Sequence, residues 1–478
     1  MKKAAGQAMS PEVRNVVLVL IVGGIAAILD STMITIAINT LVDELGSSTD
    51  VIQWVATGYL LAMAVTIPIT GWVERLFGGK GAWILALLIF AIGSILCATA
   101  WNDNSLIAFR VIQGSGGGLI MPLMQTLAVR AAGGRPTTRL MATVTVPVAL
   151  GPILGPMIGG VILNWLSWHW LFLVNVPLLV IGILLAWGLM PSDRPALSTA
   201  PRSLDWIGLL LLAPALAVIL LGLSRLSEEG GLSHVSVWLP LGVGVGLLGV
   251  FLAWALRAGE REPIVDVRLL GTWSLGIASA VMFTAGAAMY AGMFLLPLYF
   301  QQLHGQGVLE AGLLMIPQGV GALVARLVIG RLVDRHGARA VTIGSFLLAV
   351  MFTIPFAYAD SGTSLLWLGI VLCARGLGIG AVLIPPMSVA YQDVDPADIA
   401  HASMNTRILQ QLGASFGTAI VAVALQSLLS AGVTAAFQGA FWWTIGVTLV
   451  ALIPAIALPS RTKIPNKTSA VSAVKESQ

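Results

Sequence analysis

Apolar segments of about twenty residues recur from one end of this chain to the other. A helix rises about 1.5 Å per residue, so a segment of this length crosses a hydrocarbon core about 30 Å thick. Membrane-spanning β-strands are much shorter and alternate in polarity, so the segment length excludes a barrel. Only 10% of the residues are charged, whereas soluble domains carry about 25%. The sequence therefore predicts an all-α membrane protein that crosses the bilayer many times.

Fourteen such segments can be delimited along the chain. We place the spans at residues 16–40, 53–73, 82–101, 105–129, 139–163, 169–190, 204–225, 236–256, 273–299, 310–332, 340–358, 364–389, 402–429 and 438–458. Lysine and arginine fall in the two termini and in the loops after even-numbered spans, whereas the opposite loops hold only Arg225. Basic residues mark the cytoplasmic side of a membrane, so both termini are predicted to be cytoplasmic.

The chain divides into two similar halves once two spans are set aside. Residues 191–203 are rich in Pro, Ser and Ala, and with residues 257–271 they bracket the seventh and eighth spans as linkers. Repeated halves around a midplane site are the architecture of secondary transporters. We predict an N-terminal six-helix half over 1–190, a linker with two additional helices over 191–271, a C-terminal six-helix half over 272–458 and a disordered cytoplasmic tail over 459–478.

Asp30 is an acid inside the first span, and it is the only carboxylate that the sequence places deep in any span. An acid at the bilayer centre costs about 2.5–3.5 kcal/mol on insertion scales, and such residues usually have a function. If the protein couples a process to proton movement, we expect Asp30 to carry the proton.

Arg110 lies in the fourth span, about 8 Å from the outer face, and Asp30 lies about 15 Å from that face. A long arginine side chain covers this difference if the two helices are neighbours. A nearby cation stabilises the ionised form of an acid, so movement of Arg110 would change the proton affinity of Asp30. The alternative is an arginine that only reaches back to the membrane surface.

The fifth span contains two Gly-Pro pairs four residues apart, Gly151-Pro152 and Gly155-Pro156, followed by Gly159. Proline removes a backbone hydrogen bond and kinks a helix, and glycine lets a neighbouring helix approach closely. The pattern predicts a bend that seals one side of a transport path, and the alternative is a helix-packing seam.

These features resemble motifs of the major facilitator superfamily. The similar segments are Leu29-Asp30-x-Thr32, Gly71-Trp72 to Gly78, Arg110-x-x-Gln113-Gly114, the Gly-Pro repeat as the antiporter motif, and Ser167-Trp168-His169-Trp170-x-Phe172-x-x-Asn175-x-Pro177. Ala402-Ser403-Met404-Asn405-x-x-x-x-Gln410-Gln411-Leu412-Gly413-x-Ser415-x-Gly417-Thr418 is similar to a signature of the fourteen-span drug/proton antiporter branch. The chain thus resembles the EmrB-like multidrug exporters along its whole length.

One motif departs from the family pattern, which usually reads Gly-x-Leu-x-Asp-Arg-x-Gly after the second span. The first copy, Gly71 to Gly78, has Arg75 at the aspartate position and Glu74 one position earlier. A second copy follows the pattern more fully, through Asp334, Arg335, Gly337 and Arg339. The inward gate contact is therefore expected either from Glu74 or from the second copy.

The resemblance implies that Asp30 and Arg110 couple the protein to protons, and that the two loop motifs, the glycines and prolines of the fifth span and Arg375 take part in gating. It also implies a central cavity between the halves, whose candidate lining residues are Met33, Tyr59, Gln113, Tyr290, Phe294, Gln318, Asn405 and Gln411. Methionine and aromatic side chains suit promiscuous apolar substrates. We expect no cofactor or metal, with protons as the coupling ion.

The resulting prediction is a proton-coupled efflux antiporter for hydrophobic or cationic small molecules in a bacterial inner membrane, working by alternating access with one proton per cycle. Its expected partners are substrates, protons and membrane lipids, and a periplasmic adaptor lacks support. A dedicated exporter of one metabolite, antibiotic or siderophore stays open. A membrane enzyme or receptor is disfavoured, because the sequence shows no metal cluster, nucleophile set or phosphate loop. Nucleic-acid binding is disfavoured by a net charge of only +4.

Overall fold

The structure is a computed structural model that describes residues 10–47, 49–133, 138–144, 146–191, 204–229, 234–257, 263–395 and 398–460. These ranges form nineteen α-helices and four short 3-10 helices, and they contain no strand. The α-helices are α1 (Pro11–Leu45), α2 (Thr49–Thr66), α3 (Thr70–Ala98), α4 (Asp103–Ala131), α5 (Thr138–Val144), α6 (Val146–Trp165), α7 (Trp170–Leu173), α8 (Asn175–Leu189), α9 (Trp206–Glu229), α10 (Val235–Leu256), α11 (Trp273–Gln302), α12 (Val308–Leu314), α13 (Ile316–His336), α14 (Ala338–Met351), α15 (Leu365–Ala381), α16 (Ile384–Ala390), α17 (Ile399–Leu428), α18 (Val433–Val450) and α19 (Leu452–Ala457). The all-α prediction is confirmed.

Twelve helical segments in the described ranges are long and apolar enough to cross a membrane. One of them, Trp54–Ala98, is 45 residues long and holds the second and third predicted spans. The fifth predicted span corresponds to α5 and α6, on either side of residue 145, which lies outside the described ranges. The structure is thus compatible with fourteen spans, and that number stays a prediction.

The two copies of the loop motif make the same backbone turn. Gly78 has φ 72° and ψ 167°, and Gly337 has φ 83° and ψ 159°. A side chain with a Cβ atom is strained at such positive φ, which explains a glycine at both positions. The sequence repeat is therefore visible in the backbone of both halves.

Glycines bring the helices of the N-terminal half into close contact. A Cβ atom added to Gly116 would lie 2.6 Å from the Phe90 backbone nitrogen, and one on Gly118 would lie 2.6 Å from the Met63 carbonyl oxygen. Because only glycine fits there, α4 contacts both α3 and α2 along the segment that follows Gln113. Close approach of this kind is how helices associate where no hydrophobic force drives them together.

The two halves are in contact at the inner end, by which we mean the end where α1 begins and α4 ends. The hydroxyl groups of Thr126 and Ser403 lie 2.9 Å apart across the halves. The Tyr391 hydroxyl donates to Gln125 Oε1 over 3.2 Å nearby. The largest hydrophobic cluster also contains residues of both halves. This conformation is therefore closed at the predicted cytoplasmic side.

The two additional helices, α9 and α10, lie against the junction of the halves. α9 packs against α2 of the first half and α17 of the second, and α10 packs mainly against α9. Asp205 ties the pair together, because its carboxylate accepts from the Gly208 backbone N–H at 2.8 Å, from Trp254 Nε1 at 3.3 Å and from the Ile264 backbone N–H at 3.2 Å. The predicted domain division itself is not tested. Residues 192–203 of the predicted linker and 461–478 of the tail lie outside the described ranges.

Candidate functional site

Asp30 lies in the middle of α1 and is only 2% exposed. Arg110 Nη1 of α4 lies 2.5 Å from its Oδ2 atom. Its Oδ1 atom accepts from Gln113 Nε2 at 2.9 Å and from Asn175 Nδ2 of α8 at 2.9 Å. Among the described residues, three side chains donate to this carboxylate, and hydrogen bonds in which one partner is charged are shorter and stronger than neutral ones.

Arg110 is fully buried and does not reach towards the membrane surface. Its Nε atom donates to the Val55 carbonyl at 3.0 Å, and Nη1 also donates to Gln113 Oε1 at 2.6 Å. Its guanidinium carbon lies 4.1 Å from the ring centre of Tyr59 and 5.7 Å from that of Phe172. Stacking on an aromatic face stabilises a desolvated cation. The structure thus brings the two predicted coupling residues together, with Gln113 and Tyr59 beside them.

Asn175 is the site residue to which sequence reasoning gave no role. It is fully buried at the start of α8, it donates to Asp30, and its Oδ1 atom has no hydrogen-bond partner in the structure. The signal was present, since Asn175 belongs to the motif that begins at Ser167. The sequence alone did not show that this motif reaches the first span.

The glycines of the antiporter-like motif pack against the segment of α1 that carries Asp30. A Cβ atom on Gly151 would overlap Ile28, and one on Gly155 would overlap the Thr32 hydroxyl. That hydroxyl also donates to the Gly151 carbonyl oxygen at 3.1 Å. Ile28 and Thr32 lie two residues before and two residues after Asp30, so α6 packs against the segment of α1 that carries the acid.

The other motif residues of the fifth span lie within α6, which runs without interruption from Val146 to Trp165. Gly159 is buried, and the side chains of Pro152 and Pro156 are not among those described. In this conformation the motif forms a close packing seam with α1. The predicted bend that seals a transport path is not tested.

Glu74 lies at the inner end of α3 and forms an ion pair within the N-terminal half, and the gate contact expected of the first loop motif stays a prediction. The Glu74 side chain is 3% exposed, and Arg130 Nη1 at the end of α4 lies 2.7 Å from its Oε1 atom. Glu74 occupies the motif position of Val333, which is also buried, whereas Arg75 occupies that of Asp334. The shift by one position therefore turns the carboxylate inwards. Gly71 of the same motif faces Met404 of the second half.

The second loop motif is more exposed. Asp334 and Arg335 are exposed to the surroundings, and Arg339 Nε donates to the Leu458 carbonyl at 2.7 Å. Gly337 makes the turn described above. In this conformation the Glu74–Arg130 ion pair, which lies beside the first copy of the motif, links α3 to α4 of the N-terminal half.

The remaining cavity candidates are dispersed. Tyr290 on α11 is half-buried, Met33 and Phe294 pack in hydrophobic clusters, and Gln318 Oε1 accepts from Arg375 Nη1 at 2.7 Å. Gln411 lines a narrow gap beside Leu216 and Leu220 of α9. Asn405 Nδ2 donates to the Asp266 carbonyl at 2.9 Å, at the inner end. Of the candidate set, Tyr59 and Gln113 contact the acid–arginine pair.

Asp266, in the segment before α11, anchors the inner end of α17. Its backbone N–H donates to His401 Nδ1 at 3.4 Å, and Arg268 Nε lies 2.9 Å from its carboxylate. Although partial burial acts in the opposite direction, the hydrogen bonds from Arg268 hold the pKa of Asp266 below its usual range. This carboxylate is therefore charged throughout the physiological range.

Comparisons with known proteins match the chain to one family of membrane transporters. The sequence model described as Major Facilitator Superfamily matches residues 20–418. A protein of Mycobacterium tuberculosis named multidrug resistance protein B homolog is 36% identical over 409 residues, which cover 85% of this chain and 75% of that protein. The putative multidrug resistance protein MdtD of Pectobacterium carotovorum is 29% identical over 435 residues, which cover 90% of this chain and 91% of that protein.

Solved structures show the same fold. The proton:xylose symporter XylE matches with a TM-score of 0.64 and 15% identity, over 93% of this chain and 95% of that one. At this identity the match shows the fold alone.

Proposed function

Since the chain belongs to the major facilitator superfamily and is a multi-pass membrane transporter, not an enzyme, we propose that it exports lipophilic small molecules in exchange for protons. The names of its relatives support a multidrug substrate range. The proposal includes hydrophobic and cationic substrates, alternating access, and a bacterial inner membrane with both termini on the cytoplasmic side. Protons are the coupling ion, and no other cofactor is needed.

The observation that carries the proposal is the buried cluster around Asp30. Ionised Asp30 satisfies three donors at once. Protonation of Asp30 removes the negative charge that attracts Arg110. The new O–H group is also a donor, and it is surrounded by other donors, so it needs an acceptor. The Oδ1 atom of Asn175 has no partner, so rotation of that amide offers the protonated acid an acceptor. The cluster therefore has two arrangements, one for each protonation state.

A change at Asp30 reaches the interface of the halves through α6. Gly151 and Gly155 hold α6 against the residues on either side of Asp30. α6 in turn contacts α12 and α13 of the second half, for example where Gly160 faces Leu309. A shift of α1 on protonation would thus move a helix that spans the junction of the halves.

The number of protons per transport cycle is inferred from the buried carboxylates. Glu74 is a second buried carboxylate, but it lies at the inner end and is paired with Arg130. Among the residues that the structure describes, Asp30 is the one carboxylate at the depth expected of a coupling site, so the proposal assigns one proton to each transport cycle.

The test uses purified protein in lipid vesicles and three pyrene probes of similar size: pyrenesulfonate, neutral pyrenemethanol and the cation pyrenylmethyltrimethylammonium. We expect a pH gradient to drive transport of at least one probe, and we expect Asp30→Asn to abolish that transport. Asp360→Asn, which removes a carboxylate from an exposed loop, is the matched control and should leave transport unchanged. Thermal unfolding in detergent checks that both variants are folded.

Two results would contradict the proposal. Transport of a probe that continues at the same rate in Asp30→Asn would remove this residue from the coupling mechanism. Failure of the wild-type protein to move any of the three probes would favour the alternative of an exporter dedicated to one metabolite.

A further inference from the structure

Three arginines lie inside the membrane-spanning helices of the C-terminal half: Arg326 on α13, Arg375 on α15 and Arg407 on α17. Among the described residues, none of the three forms an ion pair. In the N-terminal half, by contrast, the buried Arg110 is neutralised by Asp30. A cation in the bilayer is costly and normally pairs with an anion or lines a substrate path. The C-terminal half therefore carries uncompensated positive charge.

Arg375 is accommodated by neutral groups. Its Nε atom donates to the Thr353 hydroxyl at 2.9 Å, and Nη1 donates to Gln318. A Cβ atom on Gly292 would overlap Nη2 of this arginine, so glycine makes room for the guanidinium. Arg375 is held in place by these contacts, so it is not the best candidate for a residue that binds a ligand.

Arg407 has a different environment. Its Nη1 atom donates to Gln410 Oε1 on the same helix at 2.9 Å, and its buried Nε atom has no hydrogen-bond partner in the structure. Ser403, which lies one turn earlier on the same face of α17, contacts Thr126 of the N-terminal half. Arg407 therefore faces the space between the halves.

Arg407 lies just beyond the point at which the two halves meet at the inner end. It lies one helical turn beyond Ser403, the residue that contacts Thr126 where the halves close at the inner end. A ligand bound at Arg407 would therefore lie between the two halves.

We propose that Arg407 is the anchor of the substrate site, and that it selects substrates with an anionic group on an apolar body, such as a sulfonate or a carboxylate. An anion supplies the charge that the described residues around Arg407 lack, and the guanidinium donates to two oxygens of such a group at once. The surrounding helices are apolar, which favours an apolar remainder of the ligand. This inference rests on the proposed function and gives, within the lipophilic substrates proposed there, a preference for those that carry an anionic group.

The test measures equilibrium binding of the three pyrene probes to the purified full-length protein without any gradient, so that it does not depend on proton coupling. We expect pyrenesulfonate to bind at least about tenfold more tightly than pyrenemethanol and the pyrene cation, as a charge-assisted hydrogen bond predicts. Arg407→Gln should remove this preference, whereas Arg407→Lys, which keeps the charge, should retain part of it.

Arg257→Gln removes the same charge from an exposed position at the end of α10 and should bind all probes like the wild type. Equal or tighter binding of the cation by the wild type would overturn the inference, as would an unchanged sulfonate preference in a folded Arg407→Gln variant. If sulfonate binds selectively but its transport ignores the pH gradient, the proposed proton coupling fails and the anion site stands.

Discussion

Asp30 is tolerated inside the membrane because its neighbours replace the water that an ionised acid requires. Arg110, Gln113 and Asn175 each donate to it. The contact with Arg110 could be predicted from the depths of the two residues in their spans. The contact with Asn175 could not, since the sequence gives no indication of which spans are neighbours. The role that we propose for Arg407 could not be predicted either, because it depends on how α17 packs against the N-terminal half.

Arg110 makes contacts that a lysine cannot reproduce. Its guanidinium reaches the Val55 carbonyl, Gln113 and the acid at once and stacks on Tyr59, whereas an ammonium is a compact point charge. We expect Arg110→Lys to lower pH-driven transport of the pyrene probes at least about tenfold, the factor that follows from losing about 1.4 kcal/mol. Arg257→Lys is the control, and wild-type transport in Arg110→Lys would show that charge alone suffices.

At the scale of the helix, the Gly-Pro motif of α6 acts through its glycines in this conformation. The sequence predicted either a bend or a packing seam, and periodicity could not decide between them because both need glycine on one face. The structure shows a seam with α1 at Gly151 and Gly155. The shift of Glu74 by one motif position was visible in the sequence, but its pairing with Arg130 needed the geometry of α3 and α4.

Gly155→Ala tests this seam. The added methyl group would overlap the Thr32 hydroxyl, so α6 must move away from the segment that carries Asp30. We expect loss of pH-driven transport and a lower midpoint of thermal unfolding. Gly188→Ala in α8, where a Cβ atom meets nothing within 4 Å, should leave both unchanged. Normal transport in Gly155→Ala would mean that α6 does not transmit the state of Asp30.

At the scale of the molecule, composition and motifs predicted the family and the all-α fold, which are confirmed. The repeated loop motif, from which the two halves were predicted, makes matching backbone turns at Gly78 and Gly337. The position of α9 between α2 and α17 could not be predicted. Residues that face lipid and residues that face another helix are equally apolar, so the sequence does not distinguish them.

If one proton is exchanged in each cycle, the charge of the substrate determines whether the membrane potential drives transport. Exchange of one proton for a monocation moves no net charge, whereas exchange for a monoanion moves two charges, worth about 4.6 kcal/mol at 100 mV. At equal pH on both sides, we expect an imposed potential to drive export of pyrenesulfonate and to leave export of the pyrene cation unaffected. Potential-driven export of the cation in vesicles would exclude a single proton per cycle.

The central claim is that Asp30 carries the proton that drives transport. The most direct measurement records the internal pH of vesicles loaded with the pyrene probe that the wild type binds most tightly, as that probe leaves with the membrane potential clamped. We predict entry of about one proton per probe molecule, and no proton entry with Asp30→Asn. Equal acidification by the wild type and by a folded Asp30→Asn variant would contradict the account.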